Sequence, residues 1–375
     1  MRITTRSQEQ PTTPSLRRQR RRWDEGEALA MALGCLGCPD LGTCGGIRKR
    51  QDAFSCLDDC CGEPETCDGM CPNNPLGFRD RMREVNGLEL GNIPRAAPCA
   101  APALPSYIPY IYHGNRRAVP LDIEAVALPL RRFYRPDGRP RFTCRTEVEA
   151  VFGIAPHTQI VLIGSGRDAA IEAWWKLSEK RRPLLAALRA LGVALITGPN
   201  YSMFTDEVRY NDMHAMKRIG TTWQEIVGGG IPGAYHLNAR TPQDYRRLAT
   251  FLAARPEVTD VAFEFKTGAA WRTRLSFHLE ELTQLPERVG RPLHFVMIGG
   301  INAIPVLAPA FDRVTYIDTS AFMNSVHRQR LYLNNEGKMK KIAELTLTGQ
   351  PIDDLLVENL ATMRARSKAC SMAGS

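Results

Sequence analysis

Four side chains able to move protons or attack an electrophile lie on runs that read as β-strands: His236, Glu264, Lys266 and Asp318. Strand side chains alternate between two faces. Ala234, His236 and Asn238 therefore share a face, as do Ala262, Glu264 and Lys266, and as do Tyr316, Asp318 and Ser320. A strand covered by helices is expected to be apolar on both sides, and a buried polar group is costly unless paired or used. Three segments with polar groups aimed one way therefore predict a common site. Asp318 fits a nucleophile or general base. Glu264 with Lys266 fits an acid–base or electrostatic pair, since an adjacent ammonium keeps a carboxylate ionised, and His236 and Asn238 fit hydrogen bonds to a substrate. The structural alternatives are an ion pair for Glu264 and Lys266 and a helix cap for Asp318.

The segments after the strands carry further candidates. Gly164-Ser165-Gly166 and Gly299-Gly300-Ile301-Asn302 can present backbone N–H groups to a phosphate at a helix start, or simply form tight turns. Asn200, Tyr201, Asp206 and Arg209 fall in a long loop that could cover the site, and Ser320 follows Asp318 closely.

Eight of the eleven cysteines lie together at Cys35, Cys38, Cys44, Cys56, Cys60, Cys61, Cys67 and Cys71. Without an apolar secretory segment, thiols at this density predict metal ligation over disulfides. An iron–sulfur cluster, of the four-iron type, is preferred to structural zinc. Cys35-Leu-Gly-Cys38-Pro-Asp-Leu-Gly-Thr-Cys44-Gly-Gly resembles the auxiliary iron–sulfur (SPASM-like) segments of radical S-adenosylmethionine enzymes. The C-x3-C-x2-C triplet of a radical-generating cluster does not occur, so radical chemistry is not expected.

The elements that must position these residues are legible as apolar runs. Strands are expected at 107–112, 125–130, 159–164, 193–197, 233–238, 261–266, 293–298 and 314–318, with helices at 167–191, 212–227, 242–254, 275–285 and 304–311. Strand-then-helix units imply parallel strands with right-handed crossovers. Eight of them predict an α/β fold, a (β/α)8 TIM-like barrel with an N-terminal cysteine-rich metal-binding module, and its site at the C-terminal ends of the strands. A doubly wound open sheet is the alternative. The expected organisation is a disordered basic arm over 1–30, the cysteine module over 31–75, a Pro/Gly-rich linker over 76–105, the barrel over 106–333, and a C-terminal helix (352–363) and tail over 334–375, the tail unstructured from Arg364.

The chain of 375 residues is 43% hydrophobic and carries a net charge of +9. No run is apolar enough for a membrane span, so membrane association is not expected and a cytoplasmic location is. Residues 1–24 hold seven arginines against Glu9 and Asp24. With Arg131, Arg132, Arg135, Arg139, Arg141, Lys180, Arg181 and Arg182, they make a nucleic acid or nucleotide the expected partner.

Phe295-Val-Met-Ile-Gly-Gly-Ile-Asn302 and Val314-Thr-Tyr-Ile-Asp-Thr-Ser320 resemble the end of the barrel in the tRNA-guanine transglycosylase superfamily. The resemblance implies base exchange or glycosidic-bond chemistry by a transferase, with Asp318 as the nucleophile and Gly299 and Gly300 as backbone contacts. That family's zinc cysteines follow its barrel, whereas here the cysteines precede it. A second resemblance, through Pro199-Asn-Tyr-Ser202 and the acidic loop after it, is to domains of phages and mobile elements. It supports the alternative function of a non-catalytic, metal-stabilised nucleic-acid-binding protein.

Overall fold

The computed structural model describes residues 75–203, 209–265, 274–345, 347 and 349–373. The basic arm, the eight clustered cysteines, Asp206 and Lys266 lie outside the described residues. The chain divides into two compact units, 1–88 with 205–214 and 89–204 with 215–375.

In the first unit the helix α1, Pro75–Glu84, occupies part of the expected linker. Phe78 and Met82, four apart, give it a buried stripe. Phe78 packs edge-to-face on Tyr210 at 5.9 Å, and Glu84 Oε2 lies 2.9 Å from His214 Nε2. A turn of 3-10 helix follows at Leu90–Asn92, and over 94–106, where the prolines at 94, 98, 102 and 105 fall, no helix forms.

The second unit is an eight-stranded parallel barrel. Its strands are β1 (Tyr107–Pro109), β2 (Ala125–Pro129), β3 (Gln159–Ile163), β4 (Val193–Thr197), β5 (Gly233–His236), β6 (Asp260–Glu264), β7 (His294–Ile298) and β8 (Arg313–Asp318). The hydrogen-bonded order runs β1-β8-β7-β6-β5-β4-β3-β2. A parallel bridge between Tyr110 and Ala127 closes the circle, with the Ile111 N–H donating to the Ala127 carbonyl at 3.0 Å. Sequential neighbours and a closed circle exclude the open doubly wound sheet.

Two apolar layers follow from strand alternation. Ile108, Tyr110, Ala127, Val161, Ile163, Leu195, Ala234, Ala262, Val296, Ile298 and Ile317 fill the lumen. The intervening Val126, Leu162, Ile196, Tyr235, Val261, Phe263, Phe295 and Tyr316 pack outward with the helices.

The helices are α2 (Arg145–Phe152), α3 (Asp168–Lys176), α4 (Arg181–Ala190), α5 (Arg209–Gly228), α6 (Pro242–Ala253), α7 (Leu275–Val289), α8 (Ile304–Leu307), α9 (Ser320–Val326) and α10 (Asp353–Met372). The expected helix over 167–191 is broken in two at Ser178, whose φ is +49°. Thr241 and Asp244 form a reciprocal capping box that fixes the start of α6. The expected unstructured tail is instead α10. Leu356, Leu360, Met363 and Ser367 make its buried face, and a serine at a helical spacing hides that continuation from an apolar pattern. Before it, β9 (Gln329–Leu333) and β10 (Met339–Ala343) form an antiparallel hairpin that the sequence did not announce.

The N-terminal end of the barrel holds a polar network. His294 Nδ1 lies 2.6 Å from Asp260 Oδ1, and its Nε2 lies 2.9 Å from Thr315 Oγ1. Thr315 Oγ1 donates to the Pro105 carbonyl at 3.2 Å, while Thr259 Oγ1 donates to Asp260 Oδ2 at 2.6 Å. Each buried group thus has a partner, and the network ties the entry to β1 onto the base of the barrel.

Candidate functional site

The C-terminal ends of β1, β2, β3 and β6 surround a cavity of about 580 Å3. Tyr110 and Tyr112 form one wall, their rings 4.9 Å apart. Arg131 and Arg132, just beyond β2, line a second wall with Tyr134. Gly164, Ser165, Gly166 and Arg167, between β3 and α3, line a third, and Glu264 at the end of β6 supplies the carboxylate.

Local physics sets this geometry. Gly164 is required by contact, because a Cβ there would lie 2.4 Å from the Thr197 carbonyl oxygen. Its N–H donates to Thr197 Oγ1 at 2.9 Å, so it is not offered to a phosphate as expected. Ser165 and Gly166 remain on the cavity wall. Arg131 Nη1 donates to the Tyr134 carbonyl at 3.2 Å, and its guanidinium stacks over the Tyr134 ring at 5.2 Å.

The field of the cavity follows from its lining. Burial, then the charges of Tyr112 and Glu264, push the Tyr110 phenol well up, and burial followed by Glu264 raises Tyr112. Burial pushes Tyr134 up to about 12, against the pull of Arg131. His113 is lowered by burial first, then by Arg117, Arg132 and Arg116. The phenols are therefore proton-bearing donors at neutral pH, and His113 is held toward its neutral form.

The structure separates the expected site residues. Glu264 and His236 share the lumen face with Ala262 and Ala234. Asp318 does not. Ile317 is the lumen residue of β8, so Tyr316 and Asp318 face outward, and Asp318 is buried, 3% exposed, against the outer layer. One carboxylate oxygen accepts the Ser320 N–H at 3.1 Å and the other accepts the Ser320 hydroxyl. This is an Asx turn just before α9, whose N-cap is Thr319, so Asp318 is not the cap residue itself and Ser320 is its bonded partner. The same carboxylate lies against Tyr107 and Tyr316, whose phenols are raised by burial first and by Asp318 second.

Other expected contacts have structural employment. Asn302 Oδ1 accepts from Arg366 of α10 at 3.0 Å. Asn238 Nδ2 donates to Asn200 Oδ1 and to the Tyr201 carbonyl, both at 2.8 Å, joining the loops after β4 and β5. Tyr201 is fully buried, beneath the Arg218 guanidinium at 4.1 Å. Arg209 belongs to the first unit and lies 3.8 Å from Asp212. Arg181 is a buried anchor, held to Glu225 at 2.6 and 2.8 Å. The Gly299 N–H serves the sheet, donating to the Ile317 carbonyl at 2.8 Å.

Gly300 has φ +73°, and a Cβ on it would lie 2.4 Å from the Phe265 Cβ. Gly300→Ala is therefore expected to lower stability by about 2 kcal/mol, read as a fall in the urea midpoint with an unchanged slope. An unchanged midpoint would show that the turn relaxes freely.

Tyr110, Tyr112, His113 and Trp174 were not anticipated at the site. A signal existed for the first two, since alternation carries the inward phase of Ile108 to Tyr110 and Tyr112. A larger groove, about 1040 Å3, lies at the opposite end of the barrel between the entry to β1 and α10. Among its polar groups His157 pairs with Asp122 at 2.9 Å, and Asp353 accepts the Ala118 and Val119 N–H groups. Its lining also carries Glu124, Arg117 and Arg364, and it lies away from the C-terminal ends of the strands, where a barrel site is expected.

Among the described residues no three His, Cys, Asp or Glu side chains converge to hold a metal, and no helix is long and apolar enough to cross a membrane. No family model and no curated protein matches the chain. A solved structure from Burkholderia cenocepacia J2315, provisionally described as a lyase/mutase, is 15% identical over 66% of this chain and 88% of that one, with a TM-score of 0.31. So distant a likeness carries no argument about activity.

Proposed function

We propose that this protein is an enzyme acting on a nucleotide at the C-terminal rim of its barrel, by base exchange or glycosidic-bond cleavage, with Glu264 as its reactive carboxylate. The observation that carries this reading is one cavity containing a carboxylate, two adjacent tyrosines and three arginines. Each part of a nucleotide has a counterpart there. Guanidinium forks fit a phosphate, and the Tyr110–Tyr112 pair offers rings on which a base stacks.

Glu264 then faces the sugar. As the C1′–N bond breaks, its electron pair leaves with the base and positive charge develops on the sugar, which a carboxylate stabilises. Glu264 either bonds to C1′ or takes the proton of the incoming water or base. The nucleophilic role expected of Asp318 passes to Glu264, because Asp318 faces outward and is bound to Ser320. The clustered cysteines are assigned to an iron–sulfur cluster, with zinc as the alternative. Iron and acid-labile sulfide in anaerobically purified protein are the expected result, and stoichiometric zinc without sulfide reverses the choice.

The test incubates full-length protein with nucleotides and short oligonucleotides in the presence of labelled guanine or a deazaguanine, following base release and incorporation by mass. Binding with neither release nor incorporation decides for the second reading, a non-catalytic nucleic-acid-binding protein. That reading is favoured by the excess of arginines over carboxylates around the cavity.

A further inference from the structure

After β2 a turn of 3-10 helix, Leu130–Phe133, leads into a short hairpin, and the surface of the two together is almost wholly cationic. Tyr134 and Pro140 form an antiparallel bridge. The Arg141 N–H donates to the Phe133 carbonyl, the Arg135 N–H to the Arg139 carbonyl and the Gly138 N–H to the Arg135 carbonyl, each at 2.9 Å. Its base is clamped by aromatic packing, Phe133 on Phe142 at 5.2 Å and on Phe152 at 5.8 Å. At the tip Gly138 has φ +87° and lies against Lys180.

On this frame stand Arg131, Arg132, Arg135, Arg139 and Arg141, with Asp137 as the single acid. Asp137 is neutralised by Arg139 at 2.7 Å. Among the described residues Arg132, Arg135 and Arg141 donate no side-chain hydrogen bond, and all three are exposed. A surface built only for solubility mixes both signs of charge; this one does not. The row begins inside the rim cavity at Arg131 and Arg132 and continues outward along the hairpin.

We propose that this hairpin is a phosphate-binding track for single-stranded nucleic acid, which delivers one unstacked nucleotide to the rim cavity while flanking phosphates lie on Arg135 and Arg141. The inference rests on the nucleotide reading of the cavity and extends it from a free nucleotide to a nucleotide within a strand. Guanidinium groups match phosphate oxygens in pairs. The cavity, bounded by tyrosines, has the size of a site for one small ligand, so a base must leave its stack to enter, which a single strand allows at least cost.

The test compares full-length protein with the variant Arg135→Ala/Arg141→Ala, neither of which lines the cavity. Fluorescence anisotropy follows a labelled single strand of about a dozen nucleotides, with the matching duplex and polyglutamate as competitors. Guanosine and uridine monophosphates are measured by calorimetry. The N-terminal arm is common to both proteins, so only their difference is read.

In the variant, single-strand affinity is expected to fall about tenfold, and the salt slope by about 1 to 1.5, as two lost phosphate contacts imply. Monophosphate binding and the melting temperature are expected to stay unchanged. Equal single-strand binding by variant and parent overturns the track, as does equal competition by the duplex or polyglutamate. Monophosphate binding without any gain from strand length sinks the track and leaves the cavity reading standing. Track-dependent strand binding with no monophosphate binding and no base release sinks the cavity reading instead.

Discussion

Glu264→Gln is expected to reduce base release or exchange by about 10²- to 10⁴-fold while leaving nucleotide affinity within a few-fold of the parent. Glutamine keeps the size and one acceptor oxygen of glutamate but can neither hold a full negative charge nor bond covalently to C1′. The loss should therefore fall on kcat with little change in KM, because the carboxylate acts on charge that exists only in the transition state. Asp318→Asn is the matched control. Its carboxylate is turned away from the cavity onto Ser320, so turnover should persist, at a stability cost of about 1 kcal/mol for the weakened turn. The reverse pattern, with Asp318 essential and Glu264 dispensable, would overturn the assignment.

Acid is expected to destabilise the barrel through His236. Burial alone pushes this imidazole down to about 3, and among the described residues its Nδ1 has no hydrogen-bond partner. The unfolded chain, with an ordinary histidine near 6.5, takes up the proton first. Stability contributed by the neutral ring is thus complete above about pH 6.5 and is lost as pH falls from there toward about 3. By about pH 4 the loss should be on the order of 3 kcal/mol, measured as the difference between urea midpoints at neutral and acid pH. His236→Leu places an apolar side chain in the same buried position and should remove most of that difference. A variant as acid-sensitive as the parent would assign the effect to other groups. The interior should also tolerate leucine at neutral pH, since the ring nitrogen there offsets none of its own desolvation.

The barrel could be read from apolar runs because parallel strands walled by helices are apolar on both faces. Val193–Thr197 matches its expected bounds, and Thr241 with Asp244 marks the start of α6 by its capping chemistry. The error at Asp318 has a definite physical source. Alternation within one strand shows that Tyr316 and Asp318 share a face, but it does not say which face, because the phase between strands is set by pairing. The register pairs Ile298 with Ile317 and Glu264 with Ile298. Glu264 is therefore in phase with Ile317, and Asp318 is out of phase with both. Pairing joins residues far apart in sequence, and no local pattern carries it. Arg131 and Arg132 were visible as charge, but their place beside Tyr110 depends on closure of the circle between the first and second strands.

That closure is slight. β1 is three residues long and ends in Pro109, which has no N–H to give, and a single bridge at Tyr110 and Ala127 joins it to β2. A hoop fastened at one stitch parts most cheaply at the stitch. Tyr110 stands on one side of this join and Pro129 through Arg132 on the other, so the gap, if drawn open, would widen the mouth of the rim cavity and leave the seven other seams intact.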